Sequence, residues 1–180
     1  KLNINVDKTK ILIFSKGRKY YNPTFKIGEH VLENTDEYKY LGLLFTKSGT
    51  FYKSKLQLAE QARKAMFALL KKIKNLSLPY DIQIEMFEKT IKPILLYGSE
   101  IWGFGNVDAL ERVQLQFYKY VFNLKKSTPC YMIYGETGIT PLTLNIKSRV
   151  ISYWTRLIKD SLENETLKLS TKIYLTIHKL

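Results

Sequence analysis

The chain has a single cysteine, Cys130, among its 180 residues. One thiol cannot build a disulfide framework or a zinc knuckle from this chain alone, so the sequence predicts a reducing, intracellular location, in the nucleus or the cytoplasm. No apolar run approaches the roughly 20 residues that span a membrane, and no signal-peptide pattern opens the chain. We therefore expect no membrane partner.

Metal ligands are also scarce in this sequence. The two histidines, His30 and His178, lie far apart, and neither has a partner at the spacing of metal ligands. The acidic residues are too scattered to form the carboxylate pair of a two-metal site. Ser, His and Asp show no arrangement that indicates hydrolysis. The sequence therefore predicts no metal site and no cofactor in this chain.

Basic residues outnumber acidic ones by 29 to 16, which gives a net charge of +13. The excess is concentrated at the front, because residues 1–75 hold 16 basic and 6 acidic residues. A basic surface that is uneven favours a polyanionic partner such as nucleic acid. The alternative is a basic domain without such a partner, in which the charge only aids solubility.

The apolar pattern predicts an α+β fold, with a small antiparallel β-sheet at the N-terminus followed by a mainly α-helical bundle. Strands are predicted at residues 10–15, at 25–27 with a tight turn at Gly28-Glu29, and at 38–45. From Phe51 onward, apolar residues recur every three or four positions, which indicates helices. Loops are predicted at residues 127–129 and 135–138, and residues 162–180 carry a weaker helical pattern.

Four helices are predicted, and each has an inward apolar stripe. The second is expected to start at Pro79 and to bend or end at Pro93, the third to start near Asp108, and the fourth to start at Thr140-Pro141. The predicted inward residues are, helix by helix, Ala59, Ala62, Met66, Leu69, Ile73 and Leu76; Ile82, Met86, Ile91 and Leu95; Leu110, Val113, Phe117 and Val121; and Leu142, Ile146, Val150, Trp154 and Leu157.

Two short runs near the start of the chain follow one another in a specific order. They are residues 2–14, which contain Asn5-Val6-Asp7-Lys8-Thr9-Lys10, and residues 37–43, which contain Tyr40-Leu41-Gly42. The pair resembles the end of the palm domain in reverse transcriptases of non-LTR (LINE-type) retrotransposons, where an Asn-x-x-Lys-Thr-Lys segment and a Tyr-Leu-Gly turn follow a catalytic Ala-Asp-Asp hairpin. Residues 95–103 are similar to the Leu-Tyr-Gly-x-Glu-x-Trp block of the same family, and residues 134–142 to a further block. Both blocks are predicted to be architectural.

The resemblance implies a domain organisation and an activity. Residues 1–50 would form the palm edge with a primer-grip hairpin, residues 51–125 a thumb-like bundle, and residues 126–180 a helical extension. The full-length family copies RNA into DNA with Mg²⁺ held by palm aspartates, and this sequence has no Ala-Asp-Asp. We therefore expect a fragment that grips an RNA–DNA primer–template duplex, does not polymerise alone, and needs the missing fingers and palm as partners.

Candidate site residues follow from the same resemblance. Lys8 would protonate the leaving pyrophosphate as a general acid, while Asn5 and Thr9 hold its turn through local hydrogen bonds; the alternative for Lys8 is a solvated lysine beside a turn. The predicted nucleic-acid contacts are Lys10, Lys39, Tyr40, Leu41, Gly42, Lys53, Lys64, Lys71 and Lys72. Two other functions stay open at this point, namely a stand-alone nucleic-acid-binding protein derived from a decayed element and a purely structural helical module.

Overall fold

The computed structural model describes residues 5–15 and 23–163 of the chain. The chain divides into two compact units, Lys1–Gln57 and Leu58–Leu180. The division falls inside the first long helix. The weak helical pattern at residues 162–180 lies outside the described residues from position 164 onward.

Six short strands in the described part of the first unit form three two-stranded sheets. They are β1 (Lys10–Leu12), β2 (Lys26–Ile27), β3 (His30–Val31), β4 (Glu33–Thr35), β5 (Glu37–Tyr40) and β6 (Leu43–Thr46). Strands β2 and β3 pair antiparallel around the predicted turn at Gly28-Glu29, and β5 pairs antiparallel with β6. Strand β1 pairs parallel with β4, in the register Lys10 to Glu33.

The single antiparallel sheet that the sequence predicts is therefore not what forms. Residues 13–32 connect β1 to β4, and this connection is long enough for the crossover that a parallel pair requires. The strand predicted at residues 38–45 is also interrupted, because the chain reverses at Leu41-Gly42. The α+β class with a helical C-terminal part is confirmed.

The rest of the described chain is helical. The helices are α1 (Tyr52–Ile73), α2 (Tyr80–Thr90), α3 (Lys92–Leu95), α4 (Ser99–Trp102), α5 (Asp108–Val121), α6 (Cys130–Thr137) and α7 (Leu142–Glu163). Pro93 occupies the first turn of α3, where its missing N–H leaves no hydrogen bond unmade. Within the described ranges, none of these helices combines the length and apolar composition that crossing a membrane requires.

The core of the second unit matches most of the predicted stripes. The four inward residues of α5 are all buried, and so are Ile91, Leu95, Leu142, Ile146 and Val150. Phe87 stacks on Phe117 with ring centroids 4.5 Å apart, which joins α2 to α5. Aromatic pairs of this kind stabilise a core beyond the area that they bury.

Two residues predicted to face inward are exposed. Leu76 lies beyond the end of α1, so the periodicity that placed it no longer applies. Ile82 precedes the buried Phe87 by five residues, which is about 140° around the helix. The predicted loop at residues 135–138 is also corrected, because Gly135 lies within α6 and only Gly138, at φ +67°, ends that helix.

Candidate nucleic-acid interface

The β5–β6 hairpin has a two-residue loop formed by Leu41 and Gly42. Their φ angles are +46° and +87°, and Tyr40 pairs with Leu43 on either side. Positive φ at both central residues is what a type I′ turn requires, and this turn matches the twist of its strands. Gly42 adopts a positive φ at little cost, whereas a positive φ at Leu41 costs about 1–2 kcal/mol. Leu41 is 72% exposed. The turn thus holds a large apolar side chain at its tip in an unfavourable backbone conformation.

Aromatic rings brace the hairpin from one side. The Tyr40 ring meets Phe45 edge-on at 6.4 Å between centroids, and Phe45 meets Phe51 at 5.4 Å. Tyr40 remains more than half exposed. The ring therefore supports the turn and still presents surface to a ligand.

The opposite edge of the hairpin is held by the first turn of α1. The Leu44 N–H donates to Ser54 Oγ at 2.9 Å, and Ser54 Oγ donates to the Leu44 carbonyl at 2.6 Å. Backbone groups alternate direction along an antiparallel pair, so these two groups of Leu44 point away from β5. Ser54 is buried and satisfies both of them. The hairpin is thus fixed at the second residue pair from its turn, while the Leu41 side chain at the tip is exposed.

Lys8 ends a 3₁₀ turn over Val6–Lys8. Asn5 Oδ1 accepts the Lys8 N–H at 3.2 Å, and Thr9 Oγ1 donates to the Asn5 carbonyl at 2.8 Å. The predicted roles of Asn5 and Thr9 in holding this turn are confirmed. Lys8 itself is exposed, and its role as a general acid stays a prediction.

The lysines predicted to contact nucleic acid fall into two groups. Lys10 lies 3.0 Å from Glu33, and Lys53 pairs with Glu37. In contrast, the exposed residues Lys39, Lys64, Lys71 and Lys72 enter no ion pair within the described part of the chain. To bind a phosphate, Lys10 and Lys53 would have to leave their glutamate partners. The other four lysines can bind one without breaking an ion pair to a described residue.

The first turns of α1 also contain a buried cation. Lys55 is only 7% exposed. Burial lowers the pKa of its ammonium below the ordinary value, because desolvation disfavours the charged form. Lys55 is accordingly a poor candidate for direct contact with a phosphate chain.

The block at residues 95–103 is structural, as its sequence predicts. The indole of Trp102 is buried and donates to the Tyr97 carbonyl at 2.8 Å. Glu100 lies 3.2 Å from Arg149 of α7. Gly98 has φ +64°, which lets the chain turn into α4. The Glu100–Arg149 ion pair ties α4 to α7.

Glu111 of α5 organises a cluster that the sequence pattern did not reveal. Its Oε1 accepts the Leu142 N–H at 3.0 Å and the Tyr134 hydroxyl. Its Oε2 accepts the Thr143 N–H at 3.0 Å and the Thr143 hydroxyl at 3.1 Å. Burial and the hydrogen bond to Glu111 raise the pKa of Tyr134 well above its ordinary value. A carboxylate 31 residues away in sequence therefore caps α7 at the predicted start of that helix.

Comparisons with protein-family models, curated proteins and solved structures find no match to this chain. Over residues 5–15 and 23–163, no group of three or more His, Cys, Asp or Glu side chains is placed to hold a metal ion. The features that bear on function are therefore the β5–β6 hairpin, the exposed lysines and the resemblance of the two N-terminal runs.

Proposed function

We propose that this chain is the part of an intracellular, LINE-type RNA-directed DNA polymerase that carries the primer grip. It binds an RNA–DNA primer–template duplex through contacts to the sugar–phosphate backbone of the duplex. The observation that carries the proposal is the exposed Leu41 at φ +46°, placed at the tip of a hairpin in the run that resembles the primer grip. Residues held in sparsely populated backbone conformations cluster at ligand contacts, because the strain is retained for function.

The hairpin supplies three kinds of contact with a nucleic-acid backbone. Gly42 has no Cβ, which leaves room for the backbone to approach closely. Leu41 presents an apolar surface to the sugar. Lys39 lies in β5, close to the turn, is exposed, and offers a point charge to a phosphate. None of these contacts depends on base sequence, as a primer grip requires.

The exposed lysines of α1 support the same function in the second unit. Lys64 and Lys71 lie seven residues apart, so they share one side of the helix within about 20°. Lys72 follows directly. On a helix Lys72 lies about 100° around from Lys71, so the three cations form a broad basic surface. Such a surface suits the phosphates and 2′-hydroxyls that line the wide minor groove of a duplex containing RNA.

Leu41→Asn tests the hairpin, because affinity should fall if Leu41 contacts nucleic acid and should not change if the turn is only scaffold. Asparagine adopts positive φ more readily than leucine, so the free energy of unfolding should rise by about 1 kcal/mol. Affinity for an RNA–DNA duplex should fall roughly tenfold, since an apolar contact worth about 1.4 kcal/mol is lost. Urea unfolding and fluorescence anisotropy measure the two quantities.

Val31→Thr is the control for this substitution. Val31 is 59% exposed in the other hairpin of the same unit, and threonine keeps its β-branched shape. This variant should leave duplex affinity unchanged. If Leu41→Asn also leaves affinity unchanged, the turn is only scaffold and the primer-grip assignment is wrong.

A triple substitution tests the helix surface. Replacing Lys64, Lys71 and Lys72 by Gln should flatten the slope of log K against log[salt] for duplex binding by up to about 2.7, because each neutralised phosphate contributes about 0.9 on B-form DNA. The charge-matched control replaces Lys89, Lys147 and Lys159, which are exposed on α2 and α7. Equal slopes in the two variants would show that only net charge matters. Absence of duplex binding at low salt by the unaltered chain would favour the structural module.

A further inference from the structure

A cleft of about 1050 Å³ opens in the second unit between the end of α1, the start of α2 and one side of α5. Its charged lining residues are all basic, and among the described residues no carboxylate lines it. They are Lys74, Arg112, Lys119 and Lys126. The chain has 16 acidic residues in total, yet none of the described ones lines this cleft.

The charges of the cleft are uncompensated. None of the four cations enters an ion pair within the described ranges. Lys119 Nζ donates to the Lys126 carbonyl at 2.7 Å, which uses one of its three protons and fixes the ammonium against the wall. Like charges around a concave surface raise the local potential and attract anions. A bound polyanion would relieve their mutual repulsion.

Two aromatic rings line the same cleft. Phe67 of α1 and Tyr120 of α5 are 52% and 50% exposed. Arg112, Gln116 and Tyr120 follow one another at four-residue spacing and therefore lie along one side of α5. Rings interleaved with cations are the arrangement by which proteins bind unpaired bases and the phosphates between them.

We propose that this cleft binds single-stranded nucleic acid, with bases stacked on Tyr120 and Phe67 and phosphates held by Arg112, Lys119, Lys74 and Lys126. A duplex fits these features poorly, since its bases are stacked on one another and closed to a protein ring. The proposal goes beyond the duplex grip proposed above and shares no residue with it, so either one can fail while the other stands.

Cys130 allows a test on the unaltered full chain. It is exposed, it lines the cleft, and it is the only cysteine of the chain. A single-stranded oligothymidylate of about eight nucleotides, within the usual site size, should slow alkylation of Cys130 by iodoacetamide when it is bound. Polyglutamate of equal charge should give little protection. Equal protection by polyglutamate, or none by the oligonucleotide, would overturn the proposal.

Substitutions at Tyr120 separate stacking from charge. Tyr120→Ala should weaken binding of the labelled oligonucleotide roughly tenfold, whereas Tyr120→Phe, which keeps the ring, should leave it nearly unchanged. Arg112→Gln should lower the salt dependence of binding. Val31→Thr, at an exposed residue without a proposed contact to nucleic acid, serves as the control and should not alter affinity for the single strand. If Tyr120→Ala binds as tightly as Tyr120→Phe, no base stacks on this ring and the proposal is wrong.

Discussion

Gly103→Ala is expected to lower the free energy of unfolding by about 3 kcal/mol, near the upper end of the usual range for overpacking. A Cβ at this position would lie 2.5 Å from the Ser99 carbonyl oxygen, 2.5 Å from Val150 Cγ2 and 2.7 Å from Ile146 Cγ2. Gly103 has φ −64° and ψ −1°, which alanine adopts without strain. The penalty is therefore steric, because α7 must move away to admit one methyl group and the backbone between Ser99 and Gly103 must shift as well.

Gly135→Ala is the matched control for this prediction. Gly135 lies within α6, and a Cβ there would meet nothing within 4 Å. The same substitution should raise stability by about 0.5–1 kcal/mol, since alanine is the better helix former. Urea unfolding followed by circular dichroism compares the two variants. A loss below about 1 kcal/mol for Gly103→Ala would mean that α4 and α7 are packed less tightly than the distances indicate.

Helical periodicity predicted much of the core because it is a local signal. The inward face of α5 was placed correctly, since all four of its residues lie within one uninterrupted helix. The same rule failed at Leu76, where the helix had already ended, and at Ile82, where the buried side of α2 is set by contact with α5. Periodicity shows which residues share one side of a helix. Where the helix ends and which side is buried depend on the elements that it packs against.

The strands were less predictable for a physical reason. An apolar run over residues 38–45 is compatible with one strand, and only the positive φ of Leu41 and Gly42 divides it. A turn of this type normally carries asparagine, aspartate or glycine at the first position, so leucine gives no turn signal there. The parallel pairing of β1 with β4 depends on a long connection and leaves no local pattern.

The ion pairs of the candidate site could not be predicted from the sequence. The sequence places Lys10 and Lys53 with the other basic residues, yet the fold brings each of them to a glutamate. Glu33 lies on β4, which pairs with β1 across a long connection, and Glu37 lies on β5, 16 residues before Lys53. The cationic cleft is hidden for the same reason, because α1, α2 and α5 meet there only after folding.

Glu111→Gln is expected to lower the free energy of unfolding by about 2 to 3 kcal/mol. Both carboxylate oxygens of Glu111 accept hydrogen bonds, from the N–H groups of Leu142 and Thr143 and from the hydroxyls of Tyr134 and Thr143. Glutamine keeps the size but offers one oxygen and one NH₂ group. Whichever way the amide is turned, an N–H donor then faces a backbone N–H of α7. The negative charge that stabilises the positive end of this long helix is lost as well.

Glu136→Gln makes the same chemical change at an exposed position of α6 and should alter stability by less than about 0.5 kcal/mol. Urea unfolding of the two variants therefore separates a specific cap from a general effect of charge. A second readout is Tyr134, whose hydroxyl donates to Glu111 and whose pKa is raised. Loss of the carboxylate removes one cause of that shift, so the pKa of Tyr134 should be lower in Glu111→Gln and unchanged in Glu136→Gln. Equal stability of the two variants would mean that α7 is held by its packed face and not by the carboxylate at its start.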